Sequence, residues 1–259
     1  MVSAKALLID IDGVLTVSWE PLAGAVDALR TIHRQGLPFA LITNTTSRTR
    51  RGIAATLAEA GFPVGPEDVL TAPAAAAAYL REHRPDARCL LLNSGDIDED
   101  LDGVHVVRDR PDVVLTGGAG PEFDYAALNA VFGHLRDGAE LMSMHANLFW
   151  RTADGLALDA GAFLVGLQQA ANTRTRILGK PARAFFDTAV RRLGAEARRT
   201  VMVGDDVESD VLGAQQHGLI GVLVRTGKFV PEHEDGIGGD RPNHVIDSVA
   251  DLPELLGIA

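Results

Sequence analysis

Residues 6–15 read ALLIDIDGVL, an apolar run that leads into two aspartates one residue apart and then a glycine. The segment from Ala6 to Ile11 predicts a buried β-strand. Carboxylates at the end of a core strand cost free energy to desolvate unless a cation meets them. Asp10 and Asp12 therefore indicate chemistry, with a metal ion as their partner.

The composition is that of a globular protein with one large or two modest domains. The chain has 259 residues, of which 46% are hydrophobic and 23% charged, so a sizeable core is available. The net charge of −11 argues against binding to nucleic acid or to an anionic membrane, because both are polyanions. An anionic small substrate would need a locally positive site, supplied by a cation, a lysine or helix N-termini.

Targeting and redox signals favour a cytoplasmic location. The N-terminus has no signal-peptide pattern, and no apolar run approaches the ~18 residues of a membrane span. The single cysteine, Cys89, can form no internal disulfide, which fits a reducing compartment. Because Cys89 lies in an apolar run, we expect a small core residue and not a nucleophile.

Short apolar strands alternate with helices along the chain. This alternation predicts an α/β fold with a parallel sheet that is covered on both faces. The first and last parts contain predicted strands over 6–11, 39–42, 200–203 and 220–224 and helices over 23–35, 47–60 (with Ser47 as N-cap), 183–193 and 208–217. The middle forms a second α/β block, with strands near 90–92, 104–107, 113–115 and 141–144 and helices opening at 74, 125 and 162.

Four polar clusters follow apolar strands or open helices. In an open parallel sheet, ligands bind outside the carboxyl ends of the strands. We therefore expect the four clusters to converge at that edge although they are far apart in sequence. They are Asp10–Gly13, Thr43–Thr46, Gly179–Pro181 and Gly204–Asp210.

The residue types in these clusters suit a phosphoryl group. Two carboxylates ~5 Å apart repel by about 3 kcal/mol at an effective dielectric near 20, and a divalent cation with oxygen ligands removes that repulsion. Mg²⁺ suits a site with few carboxylates, retained waters and a phosphate oxygen. Lys180 adds a fixed positive charge and Thr43 a hydroxyl donor, while aspartate is a known covalent phosphoryl acceptor.

The order of these motifs resembles that of the haloacid dehalogenase superfamily of phosphohydrolases. Further segments resemble its subfamily IIA, the branch with nitrophenyl-phosphatase-like enzymes, and the resemblance covers essentially the whole chain. Those segments are Ile42–Thr46, Asp154–Leu158, Gly179–Pro181 and Val224–Lys228.

The resemblance implies an architecture. It implies a Rossmann-like core with a parallel sheet in three αβα layers, formed by residues 1–74 and 176–259. An α/β cap domain of the C2 type, residues 75–175, is inserted into the core. Relatives with this cap often pair through it, which implies a homodimer.

The resemblance also assigns roles by position. Asp10 is the nucleophile and a Mg²⁺ ligand, and Asp12 is the general acid/base, with its backbone carbonyl on the metal. Some members of the branch have serine at the position of Asp12, so the aspartate favours ordinary phosphomonoester hydrolysis. The remaining assignments are phosphoryl binding by Thr43, Asn44 and Thr45, charge neutralisation by Lys180, direct metal ligation by Asp205, and action through Lys180 or water by Asp210.

The leading hypothesis is thus a Mg²⁺-dependent phosphatase of a small phosphorylated metabolite that forms an aspartyl-phosphate on Asp10. Two alternatives stay open. A phosphotransferase or mutase would pass the phosphate to a second substrate, and a non-enzymatic signalling module would merely hold it. His145 is expected to be a structural histidine more than a substrate contact, and the acidic run Asp98–Asp109 an exposed loop more than a calcium site.

Overall fold

The computed structural model describes residues 2–152 and 155–259, without the side chains of residues 150–152. Asp154, the first residue of the motif at 154–158, lies outside the described residues. Among the described residues, no helix is long and apolar enough to cross a lipid bilayer. The chain folds into two compact units, the first formed by 1–43, 50–70 and 180–259 and the second by 44–49 and 71–179.

Strands and helices alternate in both units. The described strands are β1 Ala6–Asp10, β2 Thr16–Val17, β3 Glu20–Pro21, β4 Phe39–Thr43, β5 Val69–Thr71, β6 Arg88–Leu92, β7 His105–Val106, β8 Val113–Thr116, β9 Glu140–Ser143, β10 Phe149–Thr152, β11 Gly155–Leu158, β12 Arg176–Ile177, β13 Thr200–Gly204, β14 Ile220–Val224 and β15 His244–Ile246. The described α-helices are α1 Ala25–Arg34, α2 Arg50–Glu59, α3 Ala72–His83, α4 Tyr125–Arg136, α5 Ala160–Ala171, α6 Arg183–Arg192, α7 Gly213–Gln215 and α8 Leu252–Leu256.

The first unit is built on a six-stranded sheet in the order β15-β14-β13-β1-β4-β5. The central strand β1 pairs in parallel with β13 on one side and with β4 on the other. Every residue of β1, β4 and β13 is buried, which is why these strands read as continuous apolar runs and not as alternating ones. Leu29 and Ile32 of α1 are fully buried in the same core.

The second unit has its own five-stranded sheet in the order β12-β9-β8-β6-β7, and all of its described pairs are parallel. Its helices pack as two apolar clusters. One contains Cys89 and Leu115 with α3, and the other joins α4 to α5. The burial of Cys89 confirms its prediction as a core residue. The strands β10 and β11 form a separate antiparallel hairpin. The predicted α/β class with a parallel sheet is confirmed, and the sheet of the second unit is parallel as well.

The predicted start of α2 is wrong. The helix begins at Arg50 and not after Ser47. Thr46, directly before the predicted N-cap, is instead held by a distant residue, because its carbonyl accepts a hydrogen bond of 3.0 Å from the Asn93 side-chain amide. A long-range contact therefore replaces local capping, and residues 44–49 run as irregular chain in the second unit.

The helix predicted over 208–217 also differs. Residues Val207–Leu212 form a π-helical turn, which α7 continues. The amides of Asp210 and Val211 both donate to the Asp206 carbonyl, at 3.0 and 3.3 Å. Such turns insert one extra residue into a helix and are frequent at functional sites.

Candidate active site

The carboxyl ends of β1, β4 and β13 bring three of the predicted clusters to one sheet edge. Asp10, the last residue of β1, pairs with Ile42 of β4, so Thr43 follows one residue beyond. On the other side, Ile9 pairs with Val203 of β13, and Asp205 comes directly after that strand. The parallel register thus places these residues together, as their positions after apolar strands predict.

Lys180 lies between two of the aspartates. Its ammonium Nζ is 2.5 Å from Oδ1 of Asp10, to which it donates a hydrogen bond. The same Nζ is 2.7 Å from Oδ1 of Asp210, which makes a second buried ion pair. All three side chains are more than 90% buried.

Asp205 is enclosed by backbone. Its Oδ2 accepts a hydrogen bond of 2.8 Å from the amide of Lys228. A Cβ added at Gly13 or at Gly227 would lie 2.0 Å from that same oxygen, and both glycines have positive φ angles, +85° and +62°. Only glycine combines this backbone conformation with so close an approach.

The side chains of Asp206 and Asp210 make different contacts. Oδ1 of Asp206 accepts from the amides of Glu208 and Ser209 at 3.2 and 3.0 Å, so Asp206 caps the π-helical turn. Asp210 is 1% exposed and packs against Gly204, where an added Cβ would lie 2.3 Å from the Asp210 Cβ. The structure thus pairs Asp210 with Lys180 and gives Asp206 a structural bond set.

Burial controls the protonation of the aspartates. Burial raises the pKa of Asp10 to about 6, with Lys180 opposing the shift and Asp205 adding to it. Burial and then Asp210 raise the pKa of Asp205 to about 6. Burial also raises the pKa of Asp210 to about 7, against the pull of Lys180. In each case the penalty that burial places on the charged form outweighs the stabilisation from nearby cations and hydrogen bonds.

The pKa values of two neighbouring groups, Lys180 and Asp206, shift in the directions that favour their charged forms. Burial opposes the Lys180 ammonium, but Asp10 and Asp210 outweigh it and hold the pKa of Lys180 above its ordinary value. Burial likewise works against the charge of Asp206, yet the Ser209 amide and Lys228 hold its pKa below the usual range. Lys180 and Asp206 are therefore charged at neutral pH.

The buried acidic group fits a divalent cation. Asp10, Asp205 and Asp210 each offer a carboxylate oxygen, and these oxygens lie within 4.8 Å of one another. Ionised, they carry three negative charges beside the buried ammonium of Lys180, which carries one positive charge. Oxygen ligands with this charge excess are what Mg²⁺ prefers, so Asp10 and Asp205 can hold the ion, with Asp210 beside them.

Asp12 stands apart from this group. Its side chain is exposed, and among the described residues it is not part of the acidic group that could hold a metal. Its backbone forms an isolated bridge with Thr16, while the Gly13 amide donates to the Thr16 carbonyl at 2.7 Å. The chain therefore turns directly after Asp10 and leaves the Asp12 carboxylate open to solvent.

The second polar cluster is divided between the two units. Thr43 ends β4 and is buried. Asn44 and Thr45 are half-buried and belong to the second unit, where a Cβ added at Gly179 would lie 2.6 Å from Oδ1 of Asn44. Asn44 thus packs against the residue that precedes Lys180.

His145 is a buried residue of the second unit. Its Nδ1 accepts from the Asn147 amide at 3.4 Å and lies 3.8 Å from Oδ2 of Asp159. Burial lowers the pKa of His145, although Asp159 pulls it upward. Because Asp159 also caps α5 through the Ala160 amide, this pair has a structural explanation.

Sequence reasoning missed the turn Thr226–Lys228 as part of the site. Thr226 Oγ1 donates to the Gly13 carbonyl at 2.5 Å, the Lys228 amide holds Asp205, and Lys228 Nζ is 3.2 Å from Oδ2 of Asp206. The sequence drew attention to this segment only through its family resemblance. Its glycine with two polar neighbours after a buried strand was the available signal.

Comparison with known proteins identifies the family. A model described as haloacid dehalogenase-like hydrolase matches residues 7–107, and a HAD-hydrolase-like model matches residues 177–252. The human haloacid dehalogenase-like hydrolase domain-containing protein 2 is 34% identical over 233 residues, which span 90% of this chain and 88% of that protein. This chain belongs to the haloacid dehalogenase-like hydrolase family.

Solved structures of the family agree over nearly the whole chain. A double mutant of the thermostable NPPase from Geobacillus stearothermophilus superposes with a TM-score of 0.88 at 26% identity, covering 97% of this chain and 98% of that one. The glycerol phosphate phosphatase from Mycobacterium tuberculosis was crystallised in complex with magnesium. It superposes with a TM-score of 0.86 at 29% identity, covering 97% of this chain and 79% of that one. The fold is therefore that of the family in both units.

Proposed function

We propose that this chain, as a phosphatase of the haloacid dehalogenase-like family, hydrolyses small phosphorylated metabolites with Mg²⁺ through an aspartyl-phosphate on Asp10. One observation carries the proposal. Asp10, Asp205 and Asp210 form a buried acidic group whose charge exceeds that of Lys180, and a divalent cation would balance the excess. The NPPase and the magnesium-bound glycerol phosphate phosphatase support the same reaction class.

The first step is attack by Asp10 on phosphorus. A bond forms between a carboxylate oxygen and phosphorus while the ester bond to the leaving oxygen breaks. Lys180 holds Asp10 through Oδ1, which fixes the orientation of the carboxylate and offsets its charge. Asp12, exposed after the turn, gives its proton to the departing alkoxide.

The second step is hydrolysis of the aspartyl-phosphate. Asp12, now ionised, takes a proton from water, and the water oxygen bonds to phosphorus as the bond to Asp10 breaks. Inorganic phosphate leaves and both aspartates return to their starting states.

The remaining site residues bind and balance charge in this proposal. Thr43, Asn44 and Thr45 donate to the phosphoryl oxygens, and Asp210 holds Lys180 in place. Asp10, Asp205 and the Asp12 carbonyl would hold Mg²⁺. When bound, Mg²⁺ supplies positive charge that stabilises the phosphoryl oxygens as charge develops on them.

Hydrolysis of p-nitrophenyl phosphate with Mg²⁺ and with excess EDTA tests the proposal. We expect metal-dependent turnover, and a loss of about 10³-fold or more in kcat for Asp10→Asn. Turnover that is unchanged in Asp10→Asn, or unchanged by EDTA, would contradict the proposed function. Faster product release with added alcohols would instead favour the phosphotransferase, and a long-lived phospho-form in wild type the signalling module.

The exposed apolar side chains of the second unit favour a homodimer. Phe149 and Leu158 are opposite each other on the β10–β11 hairpin, and several apolar side chains in this part of the chain are more than half exposed. They include Leu148, Phe149, Leu156, Leu158 and Val165. A second copy of the chain would cover these side chains.

The single cysteine, Cys89, is buried, and this suits a cytoplasmic, reducing location.

A further inference from the structure

The turn Thr226–Lys228 holds one carboxylate of the acidic group together with the loop after Asp10. The Lys228 amide donates to Oδ2 of Asp205 at 2.8 Å. Gly227 packs so closely that an added Cβ would lie 2.0 Å from that oxygen, and Gly13 encloses it equally tightly. These contacts leave the carboxylate little freedom to rotate.

The turn is itself bonded to the loop that follows Asp10 and contains Gly13. Thr226 Oγ1 donates to the Gly13 carbonyl at 2.5 Å, and a Cβ at Gly227 would lie 2.7 Å from the Gly13 Cα. At the root of the turn, the Arg225 amide donates to the Ile246 carbonyl at 3.0 Å. The Thr226 hydroxyl thus links this turn to the loop that follows Asp10.

We infer that Thr226 is a positioning residue that fixes Asp205 for a divalent cation by locking the 226–228 turn against Gly13. The inference rests on the proposed magnesium site. Groups that orient a metal ligand typically change metal affinity by about 10–100-fold when they are removed. Thr226 acts through the Gly13 carbonyl and the Lys228 amide.

The test compares Thr226→Val, which removes the hydroxyl at nearly constant shape, with Thr226→Ser, which keeps it. Thr188→Val is the matched control, because Thr188 Oγ1 also donates to a backbone carbonyl, that of Ala184 at 2.7 Å. Binding of MgCl₂ to each full-length protein is measured by calorimetry, and turnover of p-nitrophenyl phosphate is measured against Mg²⁺ concentration.

We expect Thr226→Val to raise the Mg²⁺ dissociation constant about tenfold in both measurements. At saturating Mg²⁺ its kcat should lie within about threefold of wild type. Thr226→Ser should stay within about twofold of wild type in Mg²⁺ affinity, and Thr188→Val should match wild type. Unchanged Mg²⁺ affinity in Thr226→Val, or equal losses in the valine and serine variants, would overturn the inference.

A second variant covers the case in which Thr226→Val does not fold. Gly227→Ala places a methyl group against Oδ2 of Asp205 and should weaken Mg²⁺ binding at least as much, so unchanged affinity there also overturns the inference. The calorimetric readout separates the two proposals. If wild type binds Mg²⁺ without phosphatase turnover, only the proposed function fails, and if it binds no Mg²⁺, both fail.

Discussion

At the scale of single residues, the positive charge of Lys180 offsets part of the repulsion among the buried carboxylates of Asp10, Asp205 and Asp210. It contacts Asp10 and Asp210 within 2.7 Å, and its side chain is 5% exposed. Removing one partner from a buried ion pair leaves the other charge uncompensated, which costs far more than the loss of a surface pair.

Lys180→Met is therefore expected to lower the free energy of unfolding by about 3–5 kcal/mol in EDTA, with Mg²⁺ recovering part of the loss. The matched control is Lys5→Met, at an exposed lysine, where we expect a change within about 0.5 kcal/mol. Urea unfolding measures both. Equal effects in the two variants would contradict the charge argument.

Cys89 allows a second prediction at this scale. Burial raises the pKa of its thiol to about 12, so the thiol stays protonated at every pH below that value, and only the thiolate is a nucleophile. We expect Cys89 to react with a disulfide reagent at pH 8 only after denaturant is added. Rapid stoichiometric labelling of the native protein would show this to be wrong.

At the scale of elements, glycines let the strand ends approach the aspartates. A Cβ added at Gly204, the last residue of β13, would lie only 2.3 Å from the Cβ of Asp210, which is a clash. A methyl group on residue 204 would therefore force the backbone or the Asp210 side chain to move, and Asp210 is buried with no space to move into.

Gly204→Ala is accordingly expected to destabilise the protein by about 1–3 kcal/mol through overpacking and to weaken Mg²⁺ binding. Gly133→Ala in α4 is the control, since a Cβ there meets no atom within 4 Å. It should stabilise the protein by about 0.5–1 kcal/mol. Thermal unfolding with and without Mg²⁺ checks both signs, and stabilisation by Gly204→Ala would refute the packing argument.

The elements also show which features could be predicted from sequence. Asp10, Asp205 and Lys180 were predictable because each polar residue closely follows an apolar run. The role of the Lys228 amide was not, because a backbone donor has no side-chain signature. The predicted start of α2 was wrong, and the contact between Thr46 and Asn93, which are far apart in the chain, has no signal in the local sequence.

At the scale of the whole molecule, the proposed homodimer is testable through the β10–β11 hairpin. Phe149 is 58% exposed, so Phe149→Lys should convert a dimer into a monomer because a charge cannot be buried unpaired at an interface. Val106→Lys, on the edge strand β7 and 48% exposed, should leave the dimer intact. Light scattering after size-exclusion chromatography measures the molar mass of each protein. A monomeric wild type would overturn the proposed dimer.

The central claim is that Asp10 carries the phosphoryl group and Asp12 releases it. Its most direct measurement is mass spectrometry of Asp12→Asn after acid quenching from p-nitrophenyl phosphate and Mg²⁺. With the general base removed, hydrolysis of the intermediate should slow by about 10²–10⁴-fold, so the peptide containing Asp10 should gain one phosphoryl group. The phosphoryl group should be absent from the same peptide when Asp10→Asn is added. An unmodified Asp10 peptide, or a phosphoryl group on another residue, would contradict the account.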